Sequence, residues 1–332
     1  MSSLNQQVIL VSRPQRNVVA ENFKLTDSPL PVAGDGEILV RNHWLSLDPY
    51  MRGRIAQGKS YASAVDIGAV MVGDTAGVVV QSKHPDFQVG DRVIGALGWQ
   101  RFAVAQASSL RKVDARLPLS ASLGVAGMPG VTAYVGLFDI CQPKAGETVL
   151  VTAASGAVGS VVGQLAKLRG CRVIGVAGGP EKCRYVIDDL GFDDCIDYKA
   201  DDFKMRYTSA LPNGIDCLFE NVGGSVFDVS LAHMNPFSRI ALCGFIADFN
   251  ASEPYGIKRL MTLIINRVKL QGFIVGDHPE RWPVALQELT EHAVAGRLRY
   301  RETIAEGLEA APGALAGMFH GHNFGKQLVR VL

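Results

Sequence analysis

The chain has 332 residues, enough for two domains at the usual ~150 residues each. Lys and Arg number 33 against 32 Asp and Glu, so the formal net charge is +1, without the cationic surplus that nucleic-acid or polybasic membrane binders use to release counterions. A hydrophobic fraction of 48% with 20% charged residues excludes a disordered chain and supplies a large core.

Taken in chain order, the opening Met-Ser-Ser-Leu-Asn-Gln-Gln has neither the basic head nor the apolar body of a signal peptide. Val8–Val11 and Ile38–Val40 are short β-type runs, and Val89-Gly-Asp-Arg-Val-Ile94 joins a turn signal to another. Frequent glycines between Gly34 and Gly98 fit an irregular, turn-rich β domain over the first ~125 residues. After Gly146 the pattern changes. Thr148–Thr152 is a continuous apolar run, suited to a strand buried on both faces. A glycine turn and a helical segment follow, the latter ending at Gly170, and Arg172–Val176 is the next strand. Pro180 marks a helix start and Gly191 its stop. The runs Ile215–Phe219, Ile240–Phe245 and Leu270–Val275 then alternate with helix-like segments at 225–234, 256–266 and 280–296, and Gln327–Leu332 alternates as a strand. Strand–helix alternation predicts an α/β fold with a doubly wound parallel sheet.

The uncharged stretches 117–138 and 148–166 approach the length of a membrane span, but prolines in one and glycines in the other favour buried core, so no membrane partner is expected. The six cysteines lack Cys-x-x-Cys spacing and read as buried hydrophobes in a reducing cytoplasm.

The best local signal is Ala153-Ala-Ser-Gly-Ala-Val-Gly159, between a strand and a helix, the context that a dinucleotide fingerprint requires. Gly156 would let the backbone approach a pyrophosphate at the helix N-terminus, and Gly159 would let helix and strand pack closely. The competing reading is a glycine turn without a ligand; the strand–helix units that follow favour the nucleotide. An NAD site usually places Asp or Glu at the end of the second strand. Here the strand runs into Ala177-Gly-Gly-Pro180, then Glu181, Lys182 and Arg184, while Tyr198-Lys199 ends the third strand. Small residues with a cation suit the 2′-phosphate of NADP; the alternative is that Lys182 and Arg184 are ordinary solvated helix charges.

Residues 1–125 contain no cysteine and only His43 and His84, so catalytic zinc is not expected there. A hydride acceptor would then be polarised by hydrogen-bond donors. Tyr50, Tyr61 and Tyr255 are candidates, each open to a purely structural role, and Asp48, Arg52 and Arg54 read equally well as a loop salt-bridge set.

Six motifs occur in order: Leu45-Ser-Leu-Asp-Pro-Tyr-Met-Arg52, Gly127-Met-Pro-Gly-Val-Thr-Ala-Tyr134, the fingerprint, Phe219-Glu-Asn-Val-Gly-Gly224, Gly272-Phe-Ile-Val275 and Asn323-Phe-Gly-Lys326. Together they resemble the zinc-independent medium-chain dehydrogenase/reductases of the leukotriene 12-hydroxydehydrogenase/prostaglandin reductase type, and within them the bacterial NADPH-dependent curcumin reductases. The resemblance implies a GroES-like catalytic domain over 1–125 and 298–332, a Rossmann NADP-binding domain over 126–297, and a homodimer. It implies NADPH-dependent reduction of the C=C bond of α,β-unsaturated ketones and aldehydes, with an enolate stabilised by tyrosine or ribose hydroxyls. Carried over by motif, Gly156, Ala157, Val158 and Gly159 would hold the pyrophosphate, and Lys182 and Tyr198 would meet the 2′-phosphate. Asn221, Phe273, Val275 and Asn323 would line the path to the nicotinamide with Met128 and Thr132 nearby, and Tyr50, Tyr61 and Tyr255 would belong to the substrate site. Two departures stand out: Ile264-Ile-Asn266 lies where the mammalian prostaglandin reductases carry a tyrosine, and Val72–Gly77 is poorer in glycine than the family pattern. The alternatives are a zinc-free quinone reductase on the same fold and an NADPH-binding scaffold with little turnover.

Overall fold

A computed structural model describes residues 4–58, 60–251 and 253–331. The chain forms two compact units, one built from the residues up to Leu123 with those from Glu302 onward, the other from Gly124–Arg301.

The first unit opens with β1 (Leu4–Leu10) and β2 (Phe23–Pro29), an antiparallel pair. β3 (Glu37–Ser46), β4 (Thr75–Ser82), β5 (Arg92–Gly95), β6 (Phe102–Gln106) and β7 (Arg111–Lys112) belong to a larger sheet. β3 runs well beyond its apolar Ile38–Val40, because Glu37 and Arg41 at its two sides are held in register by Gln106 and Phe102 of β6. β4 escapes the apolar-run signal for a visible reason. Its Gly77 lies so close to β3 that a Cβ there would sit 2.3 Å from the Arg41 carbonyl oxygen.

The second unit carries β8 (Thr148–Thr152), β9 (Arg172–Ala177), β10 (Asp194–Asp197), β11 (Ile215–Glu220), β12 (Met234–Leu242) and β13 (Lys269–Gly272). All their pairings are parallel, in the order β10-β9-β8-β11-β12-β13. This is the doubly wound arrangement of a Rossmann sheet, and its order reverses between β8 and β11, where ligands settle beyond the strand ends. Leu150, Ile174, Ile196, Leu218 and Ile240 from five strands pack with Phe227 and Leu231 into one apolar cluster. The helix expected from Pro180 to Gly191 is an α-turn, Pro180–Arg184, widened into a π-helical turn over Tyr185–Asp189. The segment expected to be helical over 256–266 is helical only at Met261–Ile265.

The chain then returns to the first unit as β14 (Glu302–Glu306) and β15 (Lys326–Arg330), parallel to each other, and β15 pairs antiparallel with β3 through Leu328↔Ser46 and Val329↔Leu45. Among the described residues no helix is long and apolar enough to cross a membrane. The two uncharged stretches are divided among short elements, including the helix Met128–Val135 in one and β8 with the helix Gly159–Leu168 in the other.

Candidate functional site

The fingerprint forms the turn from β8 into the helix Gly159–Leu168. Ala153 takes a left-handed φ of +51°, a conformation that costs a non-glycine residue about 1 kcal/mol. Its carbonyl accepts from Gly156 N at 2.9 Å, and Ala154 N donates to Val176 O of β9 at 3.0 Å. The two glycines differ in what demands them. A Cβ on Gly159 would lie 2.4 Å from Ala153 O, so the protein's own backbone excludes it. On Gly156 it would meet only Ala153 O at 3.1 Å within the tight range, with the outer side open toward the helix start, where N–H groups lack intrahelical acceptors. Ala157 and Val158 are half-buried on that same turn.

At the ends of β9 and β10 the cations gather. Tyr198 N donates to Ala177 O at 3.0 Å, and the Tyr198 ring lies on Gly178, where a Cβ would come within 2.8 Å of it. Asp197 ties the two strand ends by accepting from Gly179 N and Lys199 N at 2.8 and 3.0 Å. Lys182, half-buried, has its pKa lowered by burial and by the neighbouring Lys199 ammonium, with Glu181 opposing. The two ammonium groups make these strand ends electropositive.

At the switch point the ends of β8 and β11 are fastened together. Thr152 Oγ1 donates to Glu220 Oε1 at 3.0 Å, while Asn221 donates from its backbone to Thr152 Oγ1 and from its amide to Thr152 O, both at 2.8 Å. Glu220 Oε1 also accepts from Val222 N and Gly223 N at 2.6 and 2.8 Å. Its other oxygen, Oε2, is buried without a hydrogen-bond partner. Burial pushes this carboxyl up to about 7, against the pull of those hydrogen bonds. Phe273 stands edge-on to Phe219 of β11 at 6.2 Å between ring centroids, and Gly136 is packed under both rings. Val275 is half-buried and accepts from Trp282 Nε1 at 3.3 Å. Thr132 Oγ1 donates to Met128 O at 2.8 Å within the helix Met128–Val135.

The tyrosines divide between the units. Tyr50 and Tyr61 belong to the first, and Tyr255 to the second. Tyr50 is half-buried at the start of the turn Met51–Arg54; burial, together with the Asp48 and Asp74 carboxylates, pushes its phenol well above the ordinary value. Tyr61 is exposed and close enough to add to that effect. Tyr255 directs its hydroxyl to Asp228 Oδ2 at 3.4 Å, and the other Asp228 oxygen accepts from Lys258 N and Arg259 N at 2.9 and 3.0 Å. The salt-bridge set read from Asp48, Arg52 and Arg54 is not the one formed: Asp48 pairs with Lys326, and Arg52 donates to Arg16 O at 3.0 Å. Asn323, in the first unit, donates from its amide to Gly325 O at 2.9 Å.

Two family models match the chain, one described as the N-terminal domain of oxidoreductase over residues 6–113, the other as zinc-binding dehydrogenase over 157–291. The chain is 48% identical to the NADPH-dependent curcumin reductase of Escherichia coli (strain K12), over 98% of this chain and 97% of that one. The chain belongs to the zinc-independent medium-chain dehydrogenase/reductases. Within this family it is also 42% identical to prostaglandin reductase 1 of Rattus norvegicus, covering 93% of this chain and 94% of that one. The crystal structure of CurA from Vibrio vulnificus in complex with NADPH superimposes with a TM-score of 0.94 at 48% identity, over 98% of this chain and 99% of that one. The first unit of this medium-chain reductase is accordingly GroES-like and the second a Rossmann domain. No three His, Cys, Asp or Glu side chains among its described residues are grouped to hold a metal ion. Lys199, Glu220 and Lys326 lie in motifs quoted from the sequence without a charge role of their own, and Asp74 lies in the Val72–Gly77 segment. Nothing local to Asp74 or Lys326 announces that the fold buries their charges.

Proposed function

We propose that this protein is an NADPH-dependent reductase of the carbon–carbon double bond in α,β-unsaturated ketones and aldehydes, of curcumin-reductase type. The observation that carries the reading is the Lys182–Lys199 pair beside a glycine fingerprint, in a chain similar over its whole length to an NADPH-dependent curcumin reductase and, over 90% of its residues, to a 2-alkenal reductase (NADP(+)-dependent) of Nicotiana tabacum. The residues present fit the cofactor: an open backbone at Gly156 for the pyrophosphate, and paired ammonium groups for a 2′-phosphate that a carboxylate alone would repel.

NADPH, when bound, supplies the hydride for the substrate's β-carbon. The chain's part is to stabilise the negative charge that develops on the carbonyl oxygen. A donor aimed at that oxygen contributes about 3 kcal/mol. Tyr50 is assigned this role by its motif, and a phenol, whose ordinary pKa is about 10, is a donor throughout the neutral range without any shift. The Tyr255 hydroxyl is a second candidate, although it must first leave Asp228. Asn221, Phe273, Val275, Asn323, Met128 and Thr132 are assigned to the nicotinamide path by their motifs, and Tyr61 to the rim of the substrate site.

The enzyme acts as a homodimer in the reducing cytoplasm on this reading; six free thiols, five of them buried, fit that compartment. The test is NADPH consumption against matched acceptors. Turnover on a 2-alkenone above that on a para-quinone is expected, with Tyr50→Phe lowering kcat about tenfold or more while NADPH affinity holds. Preference for the quinone would make the protein a quinone reductase, and tight NADPH binding without turnover would make it a scaffold.

A further inference from the structure

The last motif, Asn323-Phe-Gly-Lys326, ends on a lysine to which the cofactor path gives no task. Lys326 lies in β15 with its side chain only 5% exposed, and Asp48, its partner, is 6% exposed. A buried ammonium is costly unless paired and hydrogen-bonded. Lys326 Nζ donates to Leu47 O at 2.9 Å and to Asp48 Oδ1, while Ser46 Oγ donates to Asp48 Oδ2. The backbone adds Leu47 N to Gln327 O at 3.2 Å and Ser46 N to Asp74 O at 2.9 Å. The stretch Ser46–Asp48 is therefore clamped from both sides.

What this stretch leads into is Tyr50. Asp48 O accepts from Met51 N at 3.1 Å, Pro49 O from Arg52 N at 3.0 Å, and Tyr50 O from Gly53 N at 3.0 Å. Tyr50 has helical backbone angles, φ −58° and ψ −24°, and packs against the core cluster of Leu45, Leu47 and Met51. The backbone turn that carries the ring follows directly on the segment that the Lys326 ammonium holds. We propose that Lys326 is a positioning residue for the Tyr50 phenol, acting from β15 through the Leu47–Asp48 clamp. The proposal rests on the reading that this phenol serves the substrate carbonyl.

The cluster has the charge to make the clamp firm. Asp74, near Asp48, is pushed up to about 6 by burial and by Asp48, with Lys326 and Arg111 holding it down. Without Lys326, two buried acids would face each other beside the phenol, with Arg111 acting on Asp74 and Arg54 on Tyr50. A long apolar side chain in place of Lys326 fills the volume and removes the clamp.

The decisive measurement is a double-mutant cycle on NADPH-dependent reduction of a 2-alkenone. Lys326→Met and Tyr50→Phe are each expected to lower kcat about tenfold, with KM for NADPH within about twofold, and the double variant to be no slower than the slower single one. If Lys326→Met costs the same factor with and without Tyr50→Phe, the lysine acts elsewhere and the proposal falls while the Tyr50 reading stands. If Tyr50→Phe turns over at the parent rate, the Tyr50 reading falls and takes this proposal with it. A buried Asp48 left unpaired can unfold the single variant, so the cycle is repeated with Asp48→Asn/Lys326→Met, which removes both charges and leaves an amide for Ser46. Lys326→Arg, keeping charge and donors, is expected to retain more kcat than Lys326→Met; equal loss from both counts against the clamp.

Discussion

At Lys182 the proposed reading of the cofactor can be tested on one residue. An ammonium half-buried beside the Lys199 ammonium is held where its own charge is disfavoured, and an anion relieves that. Lys182→Ala and Lys199→Ala are each expected to weaken NADPH binding about tenfold while leaving NADH unchanged, since NADH has no phosphate there. Titration of the two nucleotides side by side checks it, and parallel losses would mean that the lysines support the strand ends and do not read the phosphate. Glu220 gives a second residue-scale test. Burial raises its pKa from 4.5 to about 7. Between those values the folded protein keeps a proton that the unfolded chain has lost, so stability falls as pH rises from 4.5 to 7 and this contribution is flat above. The fall amounts to roughly 3 kcal/mol. Glu220→Gln does not titrate, so its stability relative to the parent protein should rise by about that much from acid to mildly alkaline pH. Urea unfolding at both ends of the range measures this, and a constant offset between the two proteins would show that Glu220 ionises normally.

At the scale of the element, the fingerprint separates folding from binding. Gly156→Ala introduces a Cβ whose only tight neighbour is Ala153 O at 3.1 Å, whereas in Gly159→Ala the contact is 2.4 Å to the same atom. Gly159→Ala should therefore destabilise by about 1–3 kcal/mol, through forced displacement of the turn. Gly156→Ala should melt near the parent temperature but bind NADPH about tenfold more weakly, because only the ligand needs that space. Calorimetry with and without NADPH distinguishes the two, and full affinity in Gly156→Ala would remove the pyrophosphate from this turn. The same elements show what was legible in the sequence. Thr148–Thr152 was readable to the residue because a strand buried on both faces must be continuously apolar. β4 was not, since its Gly77 answers to a carbonyl on another strand. The helix from Pro180 was foreseen in position, but not its π-helical turn over Tyr185–Asp189. The Ile215–Phe219 run was legible as a strand, yet the hydrogen bond from Thr152 to Glu220 exists only once β8 and β11 lie side by side. Patterns report which face is buried; they do not report which charges the fold draws together.

For the whole molecule the open question of assembly turns on one sheet edge. β13 ends the parallel sheet and pairs on one side with β12. The helix Met261–Ile265, which leads into it, leaves Met261, Ile264 and Ile265 exposed at 64%, 71% and 62%. Apolar side chains displayed beside a sheet edge invite another strand, and monomeric proteins seldom leave such edges uncovered. A second copy is the occupant that the proposed homodimer would place there, since a twofold axis lets one edge strand pair with its own image, and at a net charge of +1 two copies scarcely repel. Ile264→Asp/Ile265→Asp would place four carboxylates across that axis, two from each copy, in a desolvated contact. Sedimentation equilibrium is expected to show the parent protein at twice the chain mass and the variant at the chain mass. NADPH affinity of the variant is measured alongside, because Phe273 and Val275, assigned to the nicotinamide path, directly follow β13. A variant that stays dimeric would move the interface to another face, and a parent protein that sediments as a single chain at micromolar concentration would end the homodimer reading.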